Sequence, residues 1–364
     1  MDKAKQLKKV TVAMSGGVDS AVAAGLLIEA GYEVSGITMR LWRDTTINST
    51  SEGYLDNAIA LAIKLGIKLQ IWDVRDLFKE EVVNRYFQNL SSGLTPNPCI
   101  VCNQLIKWGA LLEHVLDEGA DYLASGHYAQ LIWDASTETY LLKSGFEGKD
   151  QTYVLSILPQ AKLKYLMFPL AEMTKEAVRQ KGEGLGISLK VAEESQDLCF
   201  FGGCSQEYFL QKNAPELLIP GKIIDAEANV LGEHKGLVLY TIGQRKGLRI
   251  AAPRPLYVIG KDMAKNTLIV GYEDALPMFA LQAKDANWIS GSLPEPDRLY
   301  EIKIRYKAKS VFGQVKIINT SDFIVQFEVG LRDITPGQRV VIYDGKLCLG
   351  GGEIVRAMPK ENNY

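Results

Sequence analysis

Three observations predict an α/β chain that opens on a doubly wound parallel sheet, continues into a small β-rich central domain and closes on a C-terminal antiparallel β-barrel. A short apolar run, Val10 to Met14, hands over to an apolar helical run, Ser20 to Ala30, across a pair of glycines. Strand and helix patterns then alternate as far as Ser125, as βαβ units of a parallel sheet do. Beyond Trp288 the texture changes to short, evenly spaced strands separated by turn signals, the pattern of a small barrel.

Taken in order, strands are expected near Glu33 to Leu41, Leu69 to Val74 and Tyr122 to Ser125, with helices near Leu55 to Leu65 and Leu77 to Leu90. Pro96 and Pro98 forbid helix until about Val101, so a stiff extended loop is predicted there, with a helix after it to about Asp117. The polar segment Glu193 to Asp197 and the pair Gly202 and Gly203 mark a boundary. Short glycine-punctuated strands follow from Pro220 to about Tyr272. Barrel strands are expected near Tyr300 to Tyr306, Gln314 to Ile318, Phe323 to Val329, Arg339 to Tyr343 and Leu347 to Val355. The domains implied are 1–203, 204–280 and 281–364, and a length of 364 residues exceeds what one hydrophobic core sustains.

A chain that is 47% hydrophobic and 23% charged has the balance of a water-soluble globular protein. No uncharged apolar run approaches the roughly 20 residues of a membrane span, and Met1 to Lys9 lacks the apolar core of a signal peptide, so a cytoplasmic location without membrane contact is expected. Five cysteines at irregular spacing argue for free thiols in a reducing compartment rather than a disulfide framework. The net charge of -2 gives no global attraction for nucleic acid, so any RNA contact must come from local patches.

The segment Ser15, Gly16, Gly17, Val18, Asp19, Ser20 falls where the first strand becomes the first helix. Two glycines let successive backbone N–H groups converge into an anion nest, and the helix N-terminus adds partial positive charge. No lysine follows as in a Walker A loop, and the dinucleotide G-x-G-x-x-G spacing is absent. The bland alternative is a tight turn with a capped helix.

Chemistry turns on the cysteines. Cys99 and Cys102 stand at the junction of the proline loop and a helix start, where a helix dipole lowers a thiol pKa. Cys199 ends the segment Ser195, Gln196, Asp197, Leu198. A lone C-x-x-C leaves three readings open, namely half a zinc site, a redox pair or buried structural cysteines. Zinc is disfavoured because no second pair follows and His114, His127 and His234 are scattered. Cys204 and Cys348 read as structural.

The glycine turn resembles that of the PP-loop ATP pyrophosphatases, whose fold is adenine nucleotide α-hydrolase-like and which adenylate an oxygen by splitting ATP between its α and β phosphates. Along nearly its whole length the chain is similar to the bacterial and mitochondrial tRNA-specific 2-thiouridylases. Carrying that resemblance are Ala13 to Ser20, Met39, Thr95 to Asn103, Ser125 to Ala129, Lys149 to Gln151, Ser195 to Cys199 and Tyr240 to Leu248. It implies that ATP, with Mg²⁺, is held by Ala13, Met14, Ser15, Gly16, Gly17, Val18, Asp19 and Ser20, with Met39 and Gly126 at the adenine or ribose. It implies a persulfide on Cys199, a resolving nucleophile in Cys102, and as target the wobble uridine of tRNAs reading Lys, Glu and Gln codons. Contacts to tRNA are implied for Asn97, Pro98, Cys99, His127, Lys149, Asp150, Gln151, Arg305, Tyr306 and Gln338. A sulfur relay protein or cysteine desulfurase would supply sulfur to a monomer.

Many members of that family carry Asp where this chain has Cys99, and the resemblance gives that Asp an acid or base role which does not transfer automatically to a thiol. Cys99, Cys102 and Cys199 are alternatively a ligand set for a 4Fe-4S cluster. In the barrel, Lys303, Arg305, Lys307 and Lys309 alternate, so an unbroken strand would place all four on one basic face. A tRNA contact through Arg305 and Tyr306 together requires a bend or strand end there. Two rival readings are an amide-forming ligase on the same loop, for which the Cys199 thiol is dispensable, and a non-catalytic RNA-binding nucleotide sensor.

Overall fold

The computed structural model describes residues 7–42, 53–146, 149–187 and 198–360, so the polar segment 193–197 and the start of the chain at 1–6 lie outside it. Its first sheet is built on β1 (Lys9–Ala13), whose Val10 and Val12 are buried, with β2 (Glu33–Arg40), β3 (Leu69–Asp73) and β4 (Tyr122–Ala124). A hairpin of β5 (Ala129–Asp134) and β6 (Thr139–Ser144) comes next, then β7 (Leu166–Met167), which returns to the first sheet. The order is β3-β2-β1-β4-β7, all parallel. Between β1 and β4 successive connections leave in opposite directions, and such a switch point opens a crevice at the carboxyl ends of the strands.

Helix α1 (Val18–Glu29) packs close to this sheet because its buried face is made of small residues, Ala21, Ala23 and Ala24, with Val22 and Leu27. A second helix, α2 (Gly53–Leu65), and helical stretches over 75–91 and 98–117 complete the layers. Both stretches contain π-wound turns, at Lys79–Asn84 and Cys102–Ala110. The second begins at Pro98 and not near Val101 as the prolines suggested. Pro98 occupies the first helical position, where its missing N–H has no intrahelical partner to lose.

The central unit carries β8 (Gly221–Ile224), β9 (Val230–His234), β10 (Tyr257–Asp262) and β11 (Thr267–Gly271), ordered β10-β11-β8-β9. The C-terminal barrel comprises β12 (Met278–Trp288), β13 (Leu299–Lys303), β14 (Val311–Ile317), β15 (Phe323–Leu331), β16 (Arg339–Asp344) and β17 (Leu347–Met358). It closes because β12, a sixth strand beyond the five expected, pairs with both β15 and β17. Also unexpected, β6 pairs with β17 through Lys143 with Leu347 and Leu142 with Cys348, so the first unit's hairpin extends the barrel sheet. No described helix is long and apolar enough to cross a membrane.

The expected basic face does not form. β13 stops at Lys303, and residues 304–308 turn, so Arg305, Lys307 and Lys309 leave the strand. Lys303 pairs with Asp150 at 3.4 Å, while Arg305 donates to the carbonyl of Ile242 at 3.3 Å and to the hydroxyl of Thr335. Alternation on one face holds only while the pleat continues.

All three units meet on the loop that precedes the helix at 98. Gln338 donates to the carbonyl of Thr95 at 2.7 Å, Thr95 donates its N–H to Pro336 at 3.0 Å, and the Thr95 and Thr241 hydroxyls stand 3.5 Å apart. Gly337 has φ +88, and a Cβ there would stand 3.0 Å from the Leu94 Cβ and 3.2 Å from the Thr95 nitrogen. Gly337→Ala is therefore expected to lower stability by about 1–3 kcal/mol, read as a reduced urea midpoint at unchanged slope. An unchanged midpoint would mean that this corner does not clamp the loop.

Candidate active site

The turn after β1 is held open by its own backbone and hydroxyls. Ser15 donates its N–H to the Ser20 hydroxyl at 3.2 Å, and that hydroxyl donates to the Gly17 carbonyl at 2.9 Å. Gly16 has φ +77, and a Cβ would stand 2.4 Å from the Tyr54 carbonyl oxygen, so only glycine fits. Met14 donates its N–H to the Ile37 carbonyl at 2.7 Å, which fixes the turn to β2. Gly126, just past β4, lies where a Cβ would stand 2.8 Å from the Asp19 carbonyl carbon and 2.9 Å from the Ser20 nitrogen. Ala13 ends β1, Val18 begins α1, and the carbonyl of Met39 on β2 accepts from the Tyr54 hydroxyl at 3.1 Å. The predicted nucleotide residues thus converge at one strand edge.

Sequence reasoning missed two partners of Asp19. Lys175 donates to both carboxylate oxygens at 2.7 and 2.8 Å, and the Tyr128 hydroxyl donates to one of them at 3.0 Å. Lys175 opens a helix (Lys175–Gly184) capped by Thr174, and nothing in its local sequence signals a partner 156 positions away.

The thiols gather beside this edge. The helix at 98–117 leads into β4 by a short turn, so it runs against the strands and its N-terminus lies at their carboxyl ends. Cys99 and Cys102 are in its first turns, and Cys199 opens a single turn, Cys199–Phe201. All three are free, Cys99 and Cys199 both raise the Cys102 pKa and Cys99 raises that of Cys199, so the three stand within electrostatic reach. Met39 packs against the apolar cluster that contains Cys102, which links the thiols to the nucleotide side.

The expectation that the helix dipole would favour thiolate is overturned. Burial pushes the Cys102 thiol up to about 12 and the Cys199 thiol up to about 11, with the Cys99 thiol raised as well. Cys99 and Cys199 have exposed surface, but protein crowds their sulfurs on the remaining sides. Desolvation penalises a charged sulfur more than one helix end rewards it. Lys107 opposes burial at all three sulfurs.

Next to the thiols, Asn97, Pro98, Thr95 and Pro96 line one wall of a cavity of about 290 Å³, with Leu198, Phe201, Tyr86 and Gln206 opposite. The His127 Nδ1 lies 2.8 Å from the Ser125 hydroxyl, and its ring is walled by Trp108 and Phe168 at centroid distances of 5.5 and 6.0 Å. Burial pushes this imidazole down to about 3, so it is neutral at physiological pH.

The remaining expected contacts are engaged within the protein. Gln151 accepts from the Tyr128 N–H at 2.9 Å, Asp150 accepts from the Thr152 N–H and hydroxyl at 2.9 and 2.7 Å, and Lys149 precedes them on the same loop. Tyr306 is exposed beside the Tyr153 ring, and Arg305 and Gln338 sit at the joint with the proline loop. Among the described residues no three His, Cys, Asp or Glu side chains are grouped to hold a metal ion, so Cys99, Cys102 and Cys199 form no preformed single-ion site.

A glycine turn suited to nucleotide phosphates, sharing an edge with gathered thiols, defines an ATP-using enzyme equipped for sulfur chemistry. Family models match in chain order: the tRNA methyl transferase HUP domain at 8–203, the tRNA methyl transferase PRC-barrel domain at 207–272 and the aminomethyltransferase beta-barrel domain at 279–354. The tRNA-specific 2-thiouridylase MnmA of Acetivibrio thermocellus is 41% identical over 356 residues, covering 95% of this chain and 99% of that protein. Its counterpart in Magnetococcus marinus is 42% identical over 356 residues, covering 96% and 99%. A solved structure of the U34-tRNA thiolase NcsA from Methanococcus maripaludis, with its 4Fe-4S cluster, overlaps 59% of this chain and 69% of its own at TM-score 0.35 and 22% identity, too slight a likeness to carry an argument. The chain belongs to the tRNA-specific 2-thiouridylase family.

A raised thiol pKa favours the neutral thiol in the folded state, so this contribution to stability is full below the ordinary 9.0 and is lost as pH climbs toward about 12 for Cys102. Iodoacetamide is therefore expected to label Cys102 at pH 7.5 at least about tenfold more slowly than a free cysteine peptide, with a rate still rising at pH 10. Mass spectrometry of the labelled peptide reads it, and a plateau below pH 9 would contradict the desolvated thiol.

Proposed function

We propose that the chain carries out ATP-dependent 2-thiolation of the wobble uridine of tRNAs reading Lys, Glu and Gln codons, releasing AMP and pyrophosphate. As a tRNA-uridine 2-sulfurtransferase it must activate an oxygen and deliver a sulfur at one place. The observation that carries the reading is the gathering of Cys99, Cys102 and Cys199 at the strand edge that holds the glycine turn.

Uracil O2 attacks the α-phosphate of ATP and becomes an adenylate while pyrophosphate departs. In this reading the backbone N–H groups of the glycine turn beyond Ser15 and the start of α1 (Val18–Glu29) take the phosphate charge. Asp19 is the carboxylate at this turn, and Mg²⁺ arriving with the phosphates would neutralise charge there only by sharing that carboxylate with Lys175.

Cys199 persulfide then attacks C2 through its outer sulfur. The Cys102 thiolate attacks the Cys199 sulfur, the persulfide S–S bond breaks, a Cys102 to Cys199 disulfide forms, and the electron pair passes to the sulfur on C2. Collapse to the thiocarbonyl expels AMP, which carries away the uridine oxygen. A two-electron thiol reductant restores both cysteines. Release as hydrosulfide is the alternative route for the same atoms.

A splayed nucleobase is accessible to such chemistry only outside its stack, and the cavity beside Asn97, Pro98 and Leu198 suits one. Cys99 and His127 border it in this reading, and Lys149, Asp150, Gln151, Arg305, Tyr306 and Gln338 contact the anticodon arm. A cysteine desulfurase or relay protein loads Cys199, and the enzyme works as a cytoplasmic monomer. Its catalytic, central and barrel units divide at 203 and 280.

The test supplies ATP, a persulfide donor and unmodified tRNA and measures thionucleoside and pyrophosphate separately. Cys102→Ser and Cys199→Ser are each expected to reduce persulfide-dependent thiolation at least about a hundredfold while tRNA-dependent pyrophosphate release continues. A Cys199→Ser enzyme of normal activity, or an amide as product, would favour a ligase. Lys307 and Lys309 are exposed beyond the end of β13, and replacing each by Gln is expected to lower the slope of log K against log salt by about 0.9 for each phosphate no longer neutralised. An unchanged slope would remove this turn from the RNA surface.

A further inference from the structure

Lys107 is half-buried and makes no hydrogen bond or ion pair with any described residue. Removing an ammonium group partly from water without an opposite charge is unfavourable, so its position suits an anion, and among the described residues no carboxylate pairs with it.

The winding of its helix decides which groups it faces. From Cys102 to Ala110 the turns are π-wound, and the Leu111 N–H donates to the Ile106 carbonyl five residues back. Gly109 suits this winding, because a Cβ there would stand 2.9 Å from the Gln104 carbonyl oxygen. At about 3.6 residues per turn, Lys107 would lie roughly 140° around the axis from Cys102. With i to i+5 bonding and roughly 4.4 residues per turn, that angle closes to about 50°. The wide turn brings the lysine onto the cysteine's face.

Four titratable groups register its charge. Two are on its own helix, Cys99 and Cys102; one is Cys199 on the turn packed against that helix; the fourth is His127 after β4. At each of the three sulfurs Lys107 favours the anion while burial opposes it. With His127 neutral, the anions formed in this group during turnover are sulfur anions.

We propose that Lys107 is the positioning cation of sulfur transfer, its ammonium pairing first with the anionic persulfide of Cys199 and then with the thiolate of Cys102. The inference rests on the thiolation reading and adds no bond to it. The S–S bond of the persulfide still breaks, the Cys102 to Cys199 bond still forms, and the electron pair still ends on the sulfur at C2. Lys107 sets how much of each sulfur is anionic and where it sits.

The experiment compares wild type with Lys107→Met, which removes the charge at similar length, and Lys107→Arg, which keeps it. The first readout is the pH profile of Cys102 alkylation in the free protein. Lys107→Met is expected to move the profile up by about one pH unit, so labelling at fixed pH falls about tenfold, and Lys107→Arg is expected to restore it. The second readout is the ratio of single-turnover transfer from persulfide-loaded Cys199 to tRNA-dependent pyrophosphate release, which should fall about tenfold or more in Lys107→Met and recover in Lys107→Arg.

An unchanged alkylation profile overturns the proposal. So does a loss of pyrophosphate release as large as the loss of transfer, since the lysine would then act on ATP phosphates. Should Lys107→Met fail to fold by circular dichroism, Lys107→Gln takes its place with the same expectations. If wild type transfers no sulfur from Cys199, the thiolation route fails, and the alkylation comparison still decides the role of Lys107.

Discussion

Strand direction is the constraint from which the rest of the site follows. Because β1, β2 and β4 run in parallel, the loops leaving their carboxyl ends must emerge at one edge. The turn after β1 and the Gly126 loop after β4 emerge there in direct backbone contact, with the Met39 end of β2 beside them. The helix that feeds β4 must run the opposite way, so its N-terminus and its two cysteines arrive at the same edge. Nucleotide and sulfur chemistry therefore share a place through topology, although 79 positions separate Ser20 from Cys99.

Within that edge, desolvation and charge act against each other. Crowded sulfurs are poor thiolates, and a buried neutral thiol is protected from idle oxidation while no substrate is present. The opposing influence is a lysine that pairs with no carboxylate among the described residues, set one wide helical turn from Cys102. Winding, in this helix, is a matter of electrostatics as much as of packing.

The proline loop does a different job from the one its stiffness suggests. Thr95 is bonded to Gln338 and Pro336 of the barrel and stands beside Thr241 of the central unit, so this segment is the joint of all three units. Arg305 reinforces the joint from the barrel side through Ile242 and Thr335. The barrel is thus bonded to the same loop whose Asn97 and Pro98 wall the cavity and lead into Cys99. A shared sheet through β6 and β17 makes the first unit and the barrel mechanically continuous on the other side.

By itself the sequence determined the parallel sheet, the glycine turn, the presence of a late barrel and the places of Cys99, Cys102 and Cys199 along the chain, because period, glycine and proline chemistry, and thiol placement are local properties. It also led to an extended Asn97 to Ile100, a continuous basic face through Lys309 and activated thiols, and the structure corrects all three, the last two through nonlocal facts. Pro98 could begin the helix because that position needs no N–H, β13 ended as soon as its pairing with β14 and β16 ran out, and the thiols were buried by segments far away in the chain. Only the tertiary structure placed Lys175 on Asp19, closed the barrel with β12 and turned Lys107 toward the sulfurs. Burial, cross-strand pairing and a change of helical pitch depend on what packs alongside, and no window of neighbouring residues contains that information.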